Sequence, residues 1–222
     1  MTIDQHTTLD SSTLRIVEVP LRALTEEAFA GYGRIVTSFA EAEVDIVPWP
    51  YRGRRFLDKG TGTGGGITSG PFHMKWKGDV LYAENHAVGG FYITGWTRRP
   101  EEAREDQATV PRQSVLTCEA NYHPDGGQVF FPKNRPSIVG SPSGYVALLA
   151  KPTDEVKPED FVAFLCPGNV GIHIDANVWH QPVYPLADEA EFDDKQGAVH
   201  ACVSVDFMSE FGCLLSFPLE LK

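Results

Sequence analysis

The sequence predicts an all-β fold, a barrel or sandwich that carries one short helix near its start. Short apolar runs of strand length recur along most of the chain, and Pro, Gly and Asp residues separate them. At 222 residues with 42% hydrophobic content, the chain is long enough to bury one sizeable core. No repeat or linker in the sequence divides it. We therefore expect a single domain over residues 13–222, preceded by a disordered polar leader, residues 1–12.

Local patterns place the elements in order. A helix is expected over residues 26–32, because Thr25 is a good N-cap, two acids follow it, and Gly31 and Gly33 end it. The stretch from 34 to 95 is strand-like. Further short strands are predicted at residues 14–19, 116–123, 128–131, 137–140, 145–150, 161–165, 170–174, 182–184, 199–205 and 214–217.

Charge and cysteine usage limit the classes of partner. The formal net charge is −11 and the pI is about 5.0, so nucleic acids and anionic membranes would be repelled overall. We expect a small-molecule partner, with no nucleic-acid or membrane partner. The cysteines lie in apolar stretches without a Cys-x-x-Cys pair, which favours reduced thiols over disulfides. The sequence also has no signal peptide and no apolar run that could span a bilayer, which predicts a soluble cytoplasmic protein.

Candidate chemistry concentrates in residues 116–132. Because successive side chains of a strand point to opposite faces, Glu119, Asn121 and His123 should share one face. A Pro-Asp-Gly-Gly turn follows, and residues 128–131 read as a returning strand. The expected hairpin would bring Gln128 back towards His123.

A second polar cluster lies much further along the chain, at residues 173–182. It contains Asn177, Trp179 and His180. His180 is the candidate partner of His123. Trp179 is interpreted as an aromatic side chain at the rim of a pocket.

Two other patterns carry weaker signals. Residues 60–65 fit Gly-x-Gly-x-x-Gly, but no buried strand precedes them and no helix follows, so we interpret them as a flexible loop rather than a nucleotide site. His73 and His86 are single histidines without a neighbouring repeat of ligand spacing. Each is expected to be a hydrogen-bonded structural or surface group, with a position facing the pocket as the alternative.

Three stretches, taken together, resemble one known family. His-Pro-x-Gly-x-Gln-x-Phe-x-Pro at residues 123–132, followed by Asn-Val-Trp-His at 177–180, is similar to the ureidoglycolate lyase family. Residues 24–36 resemble the N-terminal helix and strand of that family. The family belongs to the cupin class. The resemblance therefore implies a cupin-type β-barrel, a double-stranded β-helix or jelly roll, with a short N-terminal helix.

The resemblance also implies a reaction, the cleavage of the carbon–nitrogen bond of ureidoglycolate to glyoxylate and urea in purine and allantoin catabolism. This cleavage needs a base for the hydroxyl proton and an acid for the departing nitrogen, and histidine suits both roles near neutral pH. We expect His123 and His180 to divide the proton transfers. Glu119 would orient one of them or serve as the base.

The remaining candidates would bind substrate. Asn121 and Gln128 are expected to hydrogen-bond the ureido group. Arg98 or Lys133 would neutralise the carboxylate, a task that suits the guanidinium group of arginine. For Arg98, a solvated side chain before Pro100 is the alternative.

The ligand pattern of cupins leaves open whether this site binds a metal ion. Laid on the ligand pattern of cupins, Asn121, His123, Gln128 and His180 occupy the four places, but amide oxygens are weak ligands. A loosely bound divalent ion at His123, Gln128 and His180 is therefore an alternative to a metal-free site. Two other functions also stay open: a metal-dependent cupin lyase, isomerase or dioxygenase acting on another small polar acid, and a non-catalytic cupin that binds a small ligand. Since cupins often pair, a homodimer is expected.

Overall fold

A computed structural model describes residues 13–46, 55–61, 64–133, 144–199 and 201–221. The predicted leader, residues 1–12, and the predicted strand at 137–140 lie outside the described residues. Within the described part, seventeen strands and two short α-helices form. In chain order these elements are β1 Arg15–Glu18, β2 Leu21–Ala23, α1 Glu26–Phe29, β3 Gly33–Val36, β4 Gly64–Lys77, β5 Val80–Asn85, β6 Phe91–Trp96, β7 Ser114–Thr117, β8 Glu119–Tyr122, β9 Gln128–Pro132, β10 Tyr145–Ala150, β11 Val162–Cys166, β12 Gly171–Ile174, β13 Trp179–His180, β14 Tyr184–Pro185, β15 Glu189–Val199, β16 Val203–Asp206, α2 Phe207–Phe211 and β17 Cys213–Pro218.

The strands form two sheets. One has ten strands in the order β1-β17-β7-β6-β5-β4-β15-β9-β12-β3, and the other has seven, with the order β16-β8-β13-β10-β11-β2 and β14 paired to β10. The prediction of an all-β fold of the cupin type is confirmed. None of the helices in the described residues is long and apolar enough to cross a membrane.

Helix α1 begins where the sequence predicts. The Thr25 hydroxyl accepts a hydrogen bond from the backbone N–H of Ala28 at 3.1 Å, which caps the first turn. Phe29 packs at the edge of Phe164 with ring centroids 5.2 Å apart, so the helix buries its apolar side. The helix ends at Phe29 rather than at residue 32, because Gly31 takes a positive φ of 84° there.

Helix α2 was not predicted. Its N-cap is Asp206, whose carboxylate accepts hydrogen bonds from the backbone N–H groups of Met208 and Ser209. Gly212 closes the helix in the left-handed conformation at φ 60°. The short helix is therefore defined by its two ends more than by an apolar repeat.

The core lies where side chains of the two sheets meet. Tyr145 from β10 and Phe192 from β15 pack edge to face with ring centroids 5.2 Å apart, so they join the seven-stranded sheet to the ten-stranded one. Strand β10 is buried at every position. A strand buried on both faces reads as a continuous apolar run, as the sequence of β10 does.

The predicted hairpin at residues 116–132 is wrong. Strand β8 lies in the seven-stranded sheet beside β13 and β16, whereas β9 lies in the ten-stranded sheet beside β12 and β15. The Pro-Asp-Gly-Gly turn therefore carries the chain from one sheet to the other. At Gly127 a Cβ atom would come within 2.7 Å of the His173 ring and of the Ile174 carbonyl oxygen, so this crossing requires glycine.

Two long strands cross the middle of the larger sheet. β4 begins at Gly64, so the glycine-rich segment leads into a strand and no helix follows it; residues 62–63 lie outside the described part. β15 pairs along β4 and was missed because its sequence is rich in charge. The four cysteines are free thiols, as predicted.

Candidate active site

A cavity of about 290 Å3 is lined by residues from both sheets. This is close to the lower end of the usual range for small-molecule sites, about 300–1,000 Å3. Five of the residues singled out in the sequence line this cavity: Glu119, Asn121, His123, Gln128 and His180. The side chains predicted to share one face of β8 therefore do face one hollow.

Strand pairing explains part of this convergence. In the seven-stranded sheet, Asn121 of β8 lies opposite Ser204 on one side and His180 on the other. Directly opposed residues present their side chains on the same face of a sheet. Ser204, Asn121 and His180 thus form a polar row along one wall.

A backbone contact joins the two sequence motifs. Asn177 adopts a positive φ of 66° and its N–H donates to the carbonyl oxygen of His123 at 3.0 Å. This turn precedes β13, so His180 faces the cavity while its neighbour Trp179 points to the other side. Trp179 is fully buried and its indole N–H donates to the Thr153 carbonyl oxygen at 2.9 Å. The prediction that it is a rim residue is wrong, since the alternation of β13 directs it into the core.

The proton on His123 is fixed by its surroundings. Its Nδ1 lies 2.9 Å from the carbonyl oxygen of Ala201, and the side chain is 7% exposed. A carbonyl oxygen only accepts, so Nδ1 carries the hydrogen and Nε2 is the basic nitrogen of the neutral ring. The Asp125 carboxylate holds Ala201 in place by accepting its backbone N–H at 2.9 Å.

His180 lies between two acceptors. Its Nδ1 is 2.8 Å from the Val178 carbonyl oxygen and its Nε2 is 3.1 Å from the Gln128 amide oxygen. Both contacts are complete only when both ring nitrogens carry a hydrogen, which is the imidazolium form. The rings of His123 and His180 meet edge to face with centroids 5.1 Å apart. The two neighbouring histidines therefore differ in their hydrogen-bond partners.

The amide of Gln128 links His180 to a buried carboxylate, Asp194, which was not predicted. While the amide oxygen faces His180, the amide nitrogen donates to Asp194 Oδ1 at 2.8 Å. Asp194 is fully buried. The chain of contacts Asp194–Gln128–His180 thus connects a buried carboxylate to a cavity histidine through one amide.

Asp194 receives three side-chain hydrogen bonds. Besides Gln128, the amides of Gln196 and Asn85 donate to its Oδ2 at 2.6 and 3.2 Å. Burial raises the pKa of Asp194 to about 6, and the three hydrogen bonds act in the opposite direction. At neutral pH the carboxylate is therefore ionised. The signal for this residue was the alternation of Phe192, Asp194 and Gln196, all buried on one face of β15.

Tyr92 is a further lining residue that the sequence did not single out. Burial, followed by the nearby charge of Asp194, raises the pKa of its phenol well above the usual range. The phenol therefore stays protonated at neutral pH. It adds a neutral hydroxyl group to the cavity wall.

Arg98 and Lys133 are not among the lining residues. Arg98 pairs with Glu102 at 3.2 Å and donates to the Thr109 hydroxyl at 3.3 Å. Lys133 pairs with Glu191 at 2.9 Å, and this contact raises the pKa of its ammonium group. The structure does not bring either cation to the cavity, and the described lining residues include no lysine or arginine.

Two of the three residues expected to bind a metal, Gln128 and His180, are hydrogen-bonded to each other. Gln128 uses its amide oxygen on His180 and its nitrogen on Asp194, and the Nδ1 atoms of both cavity histidines face carbonyl oxygens. A cation held by His123, Gln128 and His180 would have to break the bond between Gln128 and His180.

The cavity belongs to the part of the chain that matches known proteins. The family model described as ureidoglycolate lyase matches residues 106–211, which include Glu119, His123, His180 and Asp194. A relative named ureidoglycolate lyase, from Azotobacter vinelandii (strain DJ / ATCC BAA-1303), is 35% identical over 158 residues, which are 64% of this chain and 90% of the relative. The chain therefore belongs to the ureidoglycolate lyase family and is an enzyme of the lyase class.

Proposed function

We propose that this protein cleaves ureidoglycolate to glyoxylate and urea, with His123 and His180 as the two proton-transferring groups. The observation that carries the proposal is the unlike hydrogen bonding of two neighbouring histidines in one cavity. His123 offers a basic Nε2, because its Nδ1 proton is given to a carbonyl oxygen. Both ring nitrogens of His180 face acceptors, which favours the doubly protonated ring that a general acid needs. Family membership supports the choice of substrate.

The reaction needs one proton removed and one supplied. His123 Nε2 takes the proton of the substrate hydroxyl as its oxygen becomes the carbonyl oxygen of glyoxylate. The electrons of the carbon–nitrogen bond leave with the ureido nitrogen. That nitrogen takes a proton from His180 and departs as urea, so that atoms and charges balance.

Gln128 and Asp194 position the acid. In the resting enzyme the Nε2 proton of His180 points at the Gln128 amide oxygen. In the proposed reaction the departing nitrogen replaces that oxygen as acceptor. Asp194 keeps His180 protonated before the reaction by balancing its charge through the amide. Gln128 therefore acts through His180 in this proposal.

The substrate carboxylate would face the imidazolium of His180. No lysine or arginine occurs among the described lining residues, so the imidazolium is the positive group at hand there. The amide of Asn121, beside His180 in the sheet, supplies a hydrogen-bond donor. Glu119, exposed at the mouth of the cavity, would accept a hydrogen bond from the ureido group.

The proposal is tested by assaying glyoxylate and urea release from ureidoglycolate, beside a panel of other ureido and hydroxy acids. We expect equal amounts of both products from ureidoglycolate, and the highest kcat/KM of the panel. Release from another acid alone, with none from ureidoglycolate, would reject the substrate. Release of ammonia in place of urea would show that a different bond is cleaved and would reject the proposed reaction.

We further propose that the enzyme acts in the catabolism of purine-derived allantoin nitrogen, as a cytoplasmic homodimer. The free thiols of all four cysteines fit a reducing compartment. The substrate itself supports the pathway. Light scattering on the purified protein measures the oligomer, and a mass of one chain would reject the homodimer.

A further inference from the structure

A second histidine pair lies on the other face of the strands that wall the cavity. His73 of β4 is directly opposite Glu84 of β5 on one side and Glu191 of β15 on the other. His86 follows β5 by one residue. Their sequence neighbours Phe72 and Asn85 line the cavity, so alternation places the outer cluster, His73, Glu84, His86 and Glu191, on the opposite face.

The polar atoms of the outer cluster converge. One ligand atom each from His73, Glu84 and His86 lies within 4.8 Å of the others. His86 Nε2 is 3.5 Å from a Glu84 carboxylate oxygen, and His73 Nε2 contacts a carboxylate oxygen of Glu191. The histidine side chains are 39% and 42% exposed, so solvent ions can reach them.

This donor set matches the chemistry of a transition metal. Imidazole nitrogens and carboxylate oxygens are the ligands of many zinc sites, with bonds near 2.1 Å and ligand atoms ~3.4 Å apart in a tetrahedron. The three ligand atoms now lie within 4.8 Å of one another. Small rotations of the side chains would bring them to the ~3.4 Å spacing of a tetrahedral site. We propose that the outer cluster binds one divalent transition metal ion, with Zn2+ as the best fit.

The ligands would come from three neighbouring strands, which favours a defined geometry. Strands β4, β5 and β15 are continuous neighbours in the larger sheet. Glu191 offers one oxygen towards His73, while its other oxygen pairs with Lys133 at 2.9 Å. Metal binding would replace histidine–carboxylate contacts with bonds to the ion and would leave the pair with Lys133 in place.

A comparison with another cluster shows why the outer cluster is the better site. Asp45, His173 and Asp175 also have ligand atoms within 4.8 Å of one another. That group has one histidine, and the Arg34 guanidinium lies 3.4 Å from Asp45. A fixed positive charge at this distance opposes a second cation. The outer cluster has two histidines and two carboxylates, with one lysine at its edge.

Metal binding at the outer cluster would stabilise part of the cavity wall. The turn after β5 is held by Asn85, whose side-chain oxygen accepts the backbone N–H groups of Ala87 and Val88 at 2.8 and 3.2 Å. Val88 and Gly89 line the cavity. An ion on His86 would therefore fix the start of this turn from outside. His73, Glu84 and His86 lie before the segment that the family model matches, whereas Glu191 lies within it.

The test uses tag-free, full-length protein that has been stripped with EDTA and desalted. Titration with ZnCl2 in a calorimeter should show one equivalent bound, and Co2+ should give the visible absorption of a site with nitrogen ligands. The His73→Ala/His86→Ala double variant should bind Zn2+ at least about 10-fold more weakly. Circular dichroism checks that the variant is folded.

Two matched variants locate the ion. Asp45→Asn/Asp175→Asn changes the competing cluster, and His123→Ala changes the cavity; both should bind Zn2+ as the unchanged protein does. Glu84→Gln keeps the size of the side chain and should weaken binding. The proposal is overturned if the unchanged protein binds no Zn2+, if the double histidine variant binds it equally well, or if only the Asp45/Asp175 or His123 variant loses it.

Discussion

The part of the chain that the structure describes contains two histidine pairs of nearly the same shape and of opposite character. The rings of His123 and His180 meet at 66° with centroids 5.1 Å apart, and those of His73 and His86 meet at 72° with centroids 5.2 Å apart. The first pair is 7% and 3% exposed, whereas the second is 39% and 42% exposed. Ring geometry alone therefore says little about what a histidine pair does.

The neighbours of each pair decide its chemistry. Around the inner pair, uncharged oxygens of Ala201, Val178 and Gln128 accept hydrogens from the ring nitrogens and so fix the location of each proton. Around the outer pair the acceptors are the carboxylates of Glu84 and Glu191, and carboxylate oxygens are themselves metal ligands. One environment is suited to proton transfer and the other to ion binding.

The largest expected effect is on catalysis at the inner pair. His123→Ala should lower kcat/KM for ureidoglycolate by about 10²- to 10⁴-fold, because general base catalysis is usually worth that much. Steady-state kinetics of glyoxylate release measures the loss. Glu189→Gln, which breaks only the exposed ion pair with Lys75, is the matched control and should keep its rate. Equal turnover by His123→Ala would remove this residue from the mechanism.

A smaller effect concerns the dependence of stability on pH. The pKa of Asp194 is raised in the folded state to about 6, from 3.8 when exposed, so the folded state holds this proton more tightly than the unfolded state. The contribution of Asp194 to the free energy of unfolding should therefore be most favourable below about pH 4 and fall by about 3 kcal/mol in total as the pH rises through 6. Above that range this group adds no further slope.

Asp194→Asn should abolish this slope between pH 4 and 6, because the amide does not titrate. Urea denaturation at a series of pH values measures the difference between the two proteins. Since the carboxylate accepts three donors, the variant should also be less stable at pH 7, where an amide leaves at least one donor unpaired. An unchanged slope in the variant would show that Asp194 does not titrate in this range.

The smallest effect is expected at the outer pair without metal. His86→Ala should change the free energy of unfolding in EDTA by no more than about 0.5 kcal/mol, as exposed positions usually do. Denaturation by urea, with and without Zn2+, measures it. A large loss of unfolding free energy in EDTA would mean that His86 contributes to packing as a buried histidine does. The two pairs would then not differ in the way described above.

Much of the site follows from short-range patterns. Alternation along β8 correctly placed Glu119, Asn121 and His123 towards one hollow. The Asn-Val-Trp-His motif at residues 177–180 identified His180 as the candidate partner of His123. The same patterns wrongly predicted that Trp179 lies at the rim of the pocket. Alternation shows that its side chain faces away from that of His180, but it does not show that the core lies on that side.

Helix α2 and the buried face of β15 also have local signals in the sequence. Asp206 and Gly212 mark the two ends of α2, a helix too short to show an apolar repeat. In β15, Phe192 and Asp194 lie on the same face, and a charged residue on an apolar face indicates a buried polar contact. Such a pattern points to burial without naming the partners.

The sequence by itself indicated many of the strands, the helix cap at Thr25 and five of the residues that line the cavity, because these depend on neighbours a few positions apart. Only the tertiary structure decided that β8 and β9 belong to different sheets. It also joined Gln128 to Asp194 across 66 residues, and His73 to Glu191 across 118 residues. Contacts at that distance depend on how two sheets pack, and strand periodicity carries no information about which strand will lie beside which.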